Sequence, residues 1–328
     1  MRNLLLAVCL FNAPGMVIAQ TLYKDMVFSD YSIQKNLSYA GGGDGGSGMT
    51  GKTKKYAKFD MYRPKTDGVT LRPLIIWMHG GGFKFGSKDA AGVRVWCSSF
   101  ARRGYLCAAI DYRLGNKSLK FTYNELVTNC YRGVQDVRTA LAFFKAHAAL
   151  WGIDTTRIIL AGNSAGGMLA IQTVYSNDTE LKRLLPAAVK SAPATGTLSA
   201  DPAPPGIASG DPATTGVAAI VNFWGGIFDT AWLRNARVPI MSVHGVQDGI
   251  VPYDHKGYPL YGSLPIHRVA DSLHIPNALK AYEGFSHELQ KHFNPFIISR
   301  ATRQRWMEAA QFAADFLYKE LYSAKPEK

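Results

Sequence analysis

The chain alternates two kinds of segment, and that alternation restricts its fold more than any other feature. Residues 73-PLIIWMH-79, 105-YLCAAID-111 and 157-RIILAG-162 are short, continuous apolar runs bounded by glycine or polar residues. A run of that length without polar alternation fits a strand buried on both faces. Segments of helical period lie between them. Residues 90–103 read as a helix ending at Gly104. Residues 124–149 read as a long one, with Val127, Cys130, Val134, Val137, Ala140 and Phe144 on a single face. Further strands are predicted over 217–224, 238–245 and 278–284, and helices over 165–175 and 302–322. Residues 56–62 alternate around Ala57, Phe59 and Met61, the pattern of a half-buried strand. Strands buried on both sides need helices on both faces. The predicted fold class is therefore α/β, with a mostly parallel central sheet. No repeat or linker divides residues 20–328, and their length suits a single domain with a sizeable core.

The first residues read differently. Arg2 precedes the apolar stretch LLLAVCLF, a polar and Pro/Gly break follows, and Val17-Ile18-Ala19 puts small residues at a cleavage site. Residues 1–19 are expected to be a secretory signal peptide, which predicts a secreted or periplasmic protein. The apolar stretch is too short to span a bilayer, and no later segment holds eighteen apolar residues in a row, so no membrane span is expected. The net charge is +13, yet the basic residues are scattered and 52-KTKKYAK-58 is the densest patch. That distribution favours acidic surfaces, and no nucleic-acid recognition module accompanies it. With Cys9 in the leader, Cys97, Cys107 and Cys130 remain. An odd number leaves at least one free thiol; one disulfide stays open, and buried apolar positions are the plainer reading. Residues 41-GGGDGGSGMTG-51 read as a loop joining two N-terminal strands, and the Pro/Ala/Gly/Ser-rich 186–216 as a long loop able to line or cover a site.

Sites in such sheets form beyond the carboxyl ends of the strands. The predicted strand 157–162 runs into Gly162-Asn163-Ser164-Ala165-Gly166 and then a helix. This G-x-S-x-G pattern at a strand–turn–helix junction marks Ser164 as a candidate nucleophile, with the turn expected to expose its hydroxyl. A serine needs a base, and the base an orienting acid, in the chain order serine, acid, histidine. His287 follows strand 278–284 and is the candidate base, with His292 its rival. His244 precedes Gly245 and is assigned to shaping a turn; His255, His267 and His274 lack a strand-end position. Asp248 follows strand 238–245 and is the candidate acid, ahead of Asp254 and Asp229. Residues 79-HGGGF-83 follow another strand end, and the amides of Gly81, Gly82 and Ala165 are the candidate oxyanion hole. Phe83, Phe85 and Trp224 follow strand ends too; they are expected to shape a substrate pocket, with core packing as the alternative.

Taken together, His79-Gly80-Gly81-Gly82-Phe83, Asp111-Tyr112-Arg113, Gly162-Asn163-Ser164-Ala165-Gly166-Gly167, His244-Gly245 through Asp248 to Val251-Pro252-Tyr253, and Gly284 with His287 resemble the α/β-hydrolase superfamily. The likeness is greatest to its carboxylesterase and hormone-sensitive-lipase-like branch and covers roughly residues 54–320. It implies serine hydrolysis of carboxylic esters (short acyl, carbohydrate or polyester) through an acyl-enzyme, without metal or cofactor. By that resemblance Asp111 and Arg113 are structural supports. Asn163 departs from the acidic residue frequent at its position, which leaves substrate preference open. An amidase, peptidase or formamidase would use the same triad, and a non-catalytic binding protein could share the fold. A different class is raised by Gly46 to Thr53, which fits the phosphate-binding pattern G-x-x-x-x-G-K-[ST]. That motif must open a helix, whereas residues 56–62 alternate as a strand and stop at Pro64.

Overall fold

The computed structural model describes residues 22–40, 56–65, 68–190, 216–255, 257 and 259–323. Its strands are β1 (Tyr31–Ser38), β2 (Lys58–Pro64), β3 (Arg72–Met78), β4 (Leu106–Ile110), β5 (Ile153–Asn163), β6 (Val217–Phe223), β7 (Ile240–Gly245) and β8 (Asn277–Tyr282). They form one sheet in the order β1-β2-β4-β3-β5-β6-β7-β8. β2 is antiparallel to β1 and β4, and every pair from β4 to β8 is parallel. The helices are α1 (Ala91–Ala101), α2 (Tyr123–Ala146), α3 (Ala148–Trp151), α4 (Ala165–Tyr175), α5 (Asp178–Leu184), α6 (Ala187–Lys190), α7 (Ser263–Ser272) and α8 (Arg300–Leu321).

Two cores explain why the strands carry unbroken apolar runs. Successive side chains of a strand point to opposite faces. Leu74, Ile76 and Met78 of β3 join the α2 and α4 side chains in one core. Ile75 and Trp77 join Trp96 of α1 and Trp306 of α8 in the other. Trp77 stacks on Trp96 with ring centroids 5.0 Å apart, and Phe223 meets both edge-on. Parallel register does the rest. Met78 pairs with Gly162 and Asn163 with Phe223, so β3, β5 and β6 end at one edge of the sheet. The loops after β3, β5, β7 and β8 all start there.

Three expectations change. β2 is not half-buried: Asp60 and Tyr62 on its second face are buried as well. Asp60 is held there by Lys88 Nζ at 3.0 Å and by the Asn36 amide at 2.7 Å. The long helix over 124–149 breaks at His147, and α3 closes on Gly152 in the left-handed region. The segment 186–216 is not all loop, because α6 occupies its start; residues 191–215 lie outside the described residues, as do the leader 1–19 and the whole glycine-rich segment 41–51 with the 46–53 motif. Cys97, Cys107 and Cys130 are free and buried, so no disulfide joins them. No helix among the described residues is long and apolar enough to cross a membrane.

Candidate active site

Ser164 sits between β5 and α4 with φ +54°. That is a costly backbone for a residue with a Cβ, and it persists only where neighbours fix it. Its amide donates to Phe223 O at 2.8 Å. Close approach on either side demands glycine: a Cβ on Gly166 would collide with the Met78 carbonyl, and one on Gly162 with the Gly166 peptide. The turn aims the hydroxyl at the sheet edge but does not leave it open. Ser164 is 5% exposed, contrary to the expectation, because the base and the glycine loop close over it.

His287 begins a 3₁₀ turn (His287–Leu289) after β8. Its Nε2 lies 2.9 Å from Ser164 Oγ and its Nδ1 2.6 Å from Asp248 Oδ2. Asp248 Oδ1 accepts the Ile250 and Val251 amides at 2.8 and 3.0 Å. Burial alone would raise the carboxyl's pKa. The hydrogen bonds and charge of His244 and His287 outweigh it and hold the group well below the usual carboxylate range. Asp248 therefore stays ionised and fixes the imidazole with its proton on Nδ1, leaving Nε2 free to accept from the serine. Backbone pairing joins the two loops: Val246 N donates to Tyr282 O (3.0 Å) and Gln247 N to Phe285 O (2.9 Å).

Facing the serine is the glycine loop after β3. Gly81 and Gly82 have φ +111° and +61°, and a Cβ on Gly80 would lie 2.7 Å from Asn163 Nδ2 and 3.2 Å from Ser164 Cβ. Gly81 O accepts the Lys84 and Phe85 amides at 3.1 and 3.0 Å, which curls the loop. Among the described residues, the amides of Gly81, Gly82 and Ala165 donate to no protein acceptor. With the amino end of α4 beside them, they present positive potential where an oxyanion would form.

The rival residues are elsewhere. His255, His274 and His292 are exposed. Asp254 is exposed, and Asp229 caps a 3₁₀ turn through Ala231 N. His267 is buried against Asn277 Oδ1 at 2.7 Å. Arg113 pairs with Asp136 (2.8 Å) and Asp111 accepts the Lys88 amide (2.7 Å), as structural supports would. Two of the expected pocket aromatics are corrected. Phe83 and Trp224 are fully buried, packed on Tyr112 and on Trp96 and Phe223 respectively. The chain turns after each strand end and carries these rings back into the core. Phe85 remains half-buried on the loop.

Sequence reasoning missed two residues. Lys84 is buried beside the glycine loop, donating to Ser118 O, Lys120 O and Glu125 Oε2. Its Nζ lies 4.8 Å from the Phe121 ring, whose edge approaches Gly82. A lysine between Phe83 and Phe85 was the available signal. His244, read as a turn residue, is instead an interior strand residue 3.3 Å from Asp248 Oδ2. Among the described residues no cluster of three His, Cys, Asp or Glu is placed to hold a metal.

The sheet order, the turn at Ser164 and the Ser–His–Asp row are those of the α/β-hydrolase fold. Comparison with known proteins agrees on the fold. The BD-FAE family model matches residues 59–201, which include the glycine loop and Ser164 but end before Asp248 and His287. Gut esterase 1 of Caenorhabditis elegans is 29% identical over 172 residues, 52% of this chain and 28% of that protein. Esterase LipC of Mycobacterium tuberculosis is 32% identical over 128 residues, 39% of this chain and 29% of that one. Human arylacetamide deacetylase-like 2 is 31% identical over 37% of this chain and 29% of its own length. The chain thus matches less than a third of each of these relatives. Among solved structures, Thermogutta terrifontis esterase 2 phosphorylated by paraoxon is similar with a TM-score of 0.56 at 20% identity, covering 91% of this chain and 97% of that one.

Proposed function

We propose that the protein is a serine hydrolase of carboxylic esters, working through an acyl-enzyme. The observation that carries the reading is the unbroken row from Ser164 Oγ through His287 to Asp248, opposite three undonated amides. Ser164 Oγ attacks the ester carbonyl carbon while its proton passes to His287 Nε2. The carbonyl oxygen takes the negative charge and is held by the amides of Gly81, Gly82 and Ala165, each such donor being worth about 10²–10³ in rate. Asp248 stabilises the imidazolium without taking its proton. The intermediate collapses, the C–O bond to the alcohol breaks, and the alcohol leaves with the proton from His287. Water then repeats the sequence on the acyl-serine and releases the acid.

The esterase names of the relatives support the ester as substrate. Acyl chain length stays the variable: short acyl, carbohydrate and polyester substrates all suit an exported enzyme of net charge +13. Composition of residues 1–19 supports export, which N-terminal sequencing of the mature protein would check. The function is tested with nitrophenyl esters of increasing chain length, acetylated sugars and an anilide. Ester turnover that disappears in Ser164→Ala is expected. Turnover of the anilide alone would move the reaction to amides, a reading that the arylacetamide deacetylase-like relative makes worth an arm of its own. Paraoxon, which phosphorylates the structural neighbour, should leave an adduct that peptide mass spectrometry maps to Ser164.

A further inference from the structure

His244 is fully buried at the end of β7, and each of its ring nitrogens has a partner. Nδ1 lies 2.8 Å from Ser263 Oγ. Nε2 lies 3.1 Å from Val251 O and 3.3 Å from Asp248 Oδ2. Both of the latter are acceptors only, so Nε2 must carry a proton. The opposite side of the ring gives the same answer independently. Asn222 Oδ1 accepts the Gly225 amide at 2.9 Å, which fixes which way its side-chain amide faces. Asn222 Nδ2 therefore donates to Ser242 Oγ (3.0 Å) and towards Ser263 Oγ (3.4 Å). Ser263, with that proton arriving, turns its own hydroxyl hydrogen to His244 Nδ1.

We infer that His244 is a positioning residue for the catalytic acid, its proton set on Nε2 by Asn222 and Ser263 and presented to the carboxylate oxygen that also receives His287. It acts by two routes. Its Nε2–H, bonded to the Val251 carbonyl, puts its positive end 3.3 Å from Asp248 Oδ2. It also holds the Val251 carbonyl, whose own residue's amide donates to Asp248 Oδ1. The carboxylate is thereby kept from rotating away from His287 when the imidazole charges. Around His244, Asp248 is the adjoining charged group, with His287 beyond it; the Tyr253 ring meets its edge at 5.7 Å, and Ser263 and Asn222 are uncharged. This role rests on the triad reading given above.

The test compares His244→Phe, His244→Gln and Ser263→Ala by kcat, KM and the pH profile of kcat/KM. In His244→Phe, kcat should fall about tenfold with KM little changed, the rate equivalent of one hydrogen bond to a charged group. The acid limb should move to higher pH. Without the second dipole, the charge of Asp248 acts on His287 alone and the protonated imidazole persists further. Glutamine can place an amide N–H near the Nε2 position, so His244→Gln should recover most of the rate. Ser263→Ala removes only the hydroxyl that sets the proton; it should lose a few-fold and shift the limb the same way, and it decides the matter if His244→Phe does not fold. A folded His244→Phe with the parent rate and profile would overturn the inference. So would folded Phe and Gln variants with equal losses, since that pattern belongs to packing. Turnover that survives in Ser164→Ala would overturn the triad reading instead.

Discussion

The nucleophile turn and the histidine turn both hold residues with side chains in the left-handed region, and they are held there by opposite means. At the first, Ser164 has φ +54° and the turn is set by its own neighbours in sequence. Gly162 and Gly166 let β5, α4 and β3 come together where no Cβ fits. At the second, Glu288 and Leu289 have φ +57° and +58°, and neither is glycine. Those carbonyls are caught from a distance: Trp306 Nε1 donates to Glu288 O at 2.8 Å and Arg305 Nε to Leu289 O at 2.7 Å, both from α8. Trp306 is itself packed on Trp96, whose Nε1 donates back to Trp306 O at 3.2 Å. One turn is written in adjacent residues. The other is imposed by a helix that starts a dozen residues later and by the core beneath it.

That contrast can be broken at either end. The largest effect is expected from Ser164→Ala, which should cut ester turnover by about 10⁴-fold or more while thermal unfolding is unchanged; a variant with substantial turnover would remove Ser164 from the chemistry. Gly166→Ala should damage folding first, because the obstructing atoms are the Met78 backbone and cannot swing aside. A loss of about 1–3 kcal/mol or more in urea unfolding is expected. Trp306→Phe keeps most of the ring and deletes the hydrogen bond to Glu288. It should lose only about 1 kcal/mol of stability, yet displace His287 enough to cost about tenfold to 10²-fold in kcat. Equal damage to stability in both variants would erase the distinction between the turns.

A smaller effect separates the two neighbourhoods by pH. His79, beneath the glycine loop, and His267, against Asn277 of β8, are each pushed down to about 4, chiefly by burial. The unfolded chain binds a proton at each site below about pH 6.5, and the folded one does not until about pH 4. Stability from both is present above pH 6.5 and is lost as pH falls through that window. By pH 5 the loss is about 2 kcal/mol per histidine. Urea unfolding at pH 7 and pH 5 should show it, and a folded His79→Gln or His267→Gln should each flatten the dependence by its own share. No flattening in either would place the acid sensitivity elsewhere. The least change is expected for His292→Ala, whose exposed ring has no place in the row; its rate should stay near the parent's while His287→Ala loses almost all.

Residue by residue, the site was legible where chemistry and backbone geometry coincide in a short stretch. Ser164, the glycine loop, Asp248 and His287 each follow a strand whose apolar run can be read directly, and the parallel sheet brings strand ends to one edge. Where position depends on side chains from far away, reading failed. Phe83 and Trp224 follow strand ends as a pocket residue would, but the chain's path after those ends turns them into the core. A strand is expected before the glycine-rich segment, but the polar edge-strand sequence of β1, YSIQKNLS, has no apolar run to give it bounds. His244 stands beside Gly245 like a turn residue, and only the placement of Ser263 and Val251 against it reveals a buried proton donor.

By itself, then, the sequence determined the α/β class and the residue types at each strand end, because apolar periodicity and glycine placement act over a few residues. Tertiary structure decided the distances: which histidine reaches Ser164, which carboxylate it faces, and what keeps that carboxylate in place. Those depend on register between strands and on contacts from α7 and α8, which bring together atoms that the chain keeps 39 and 123 residues apart.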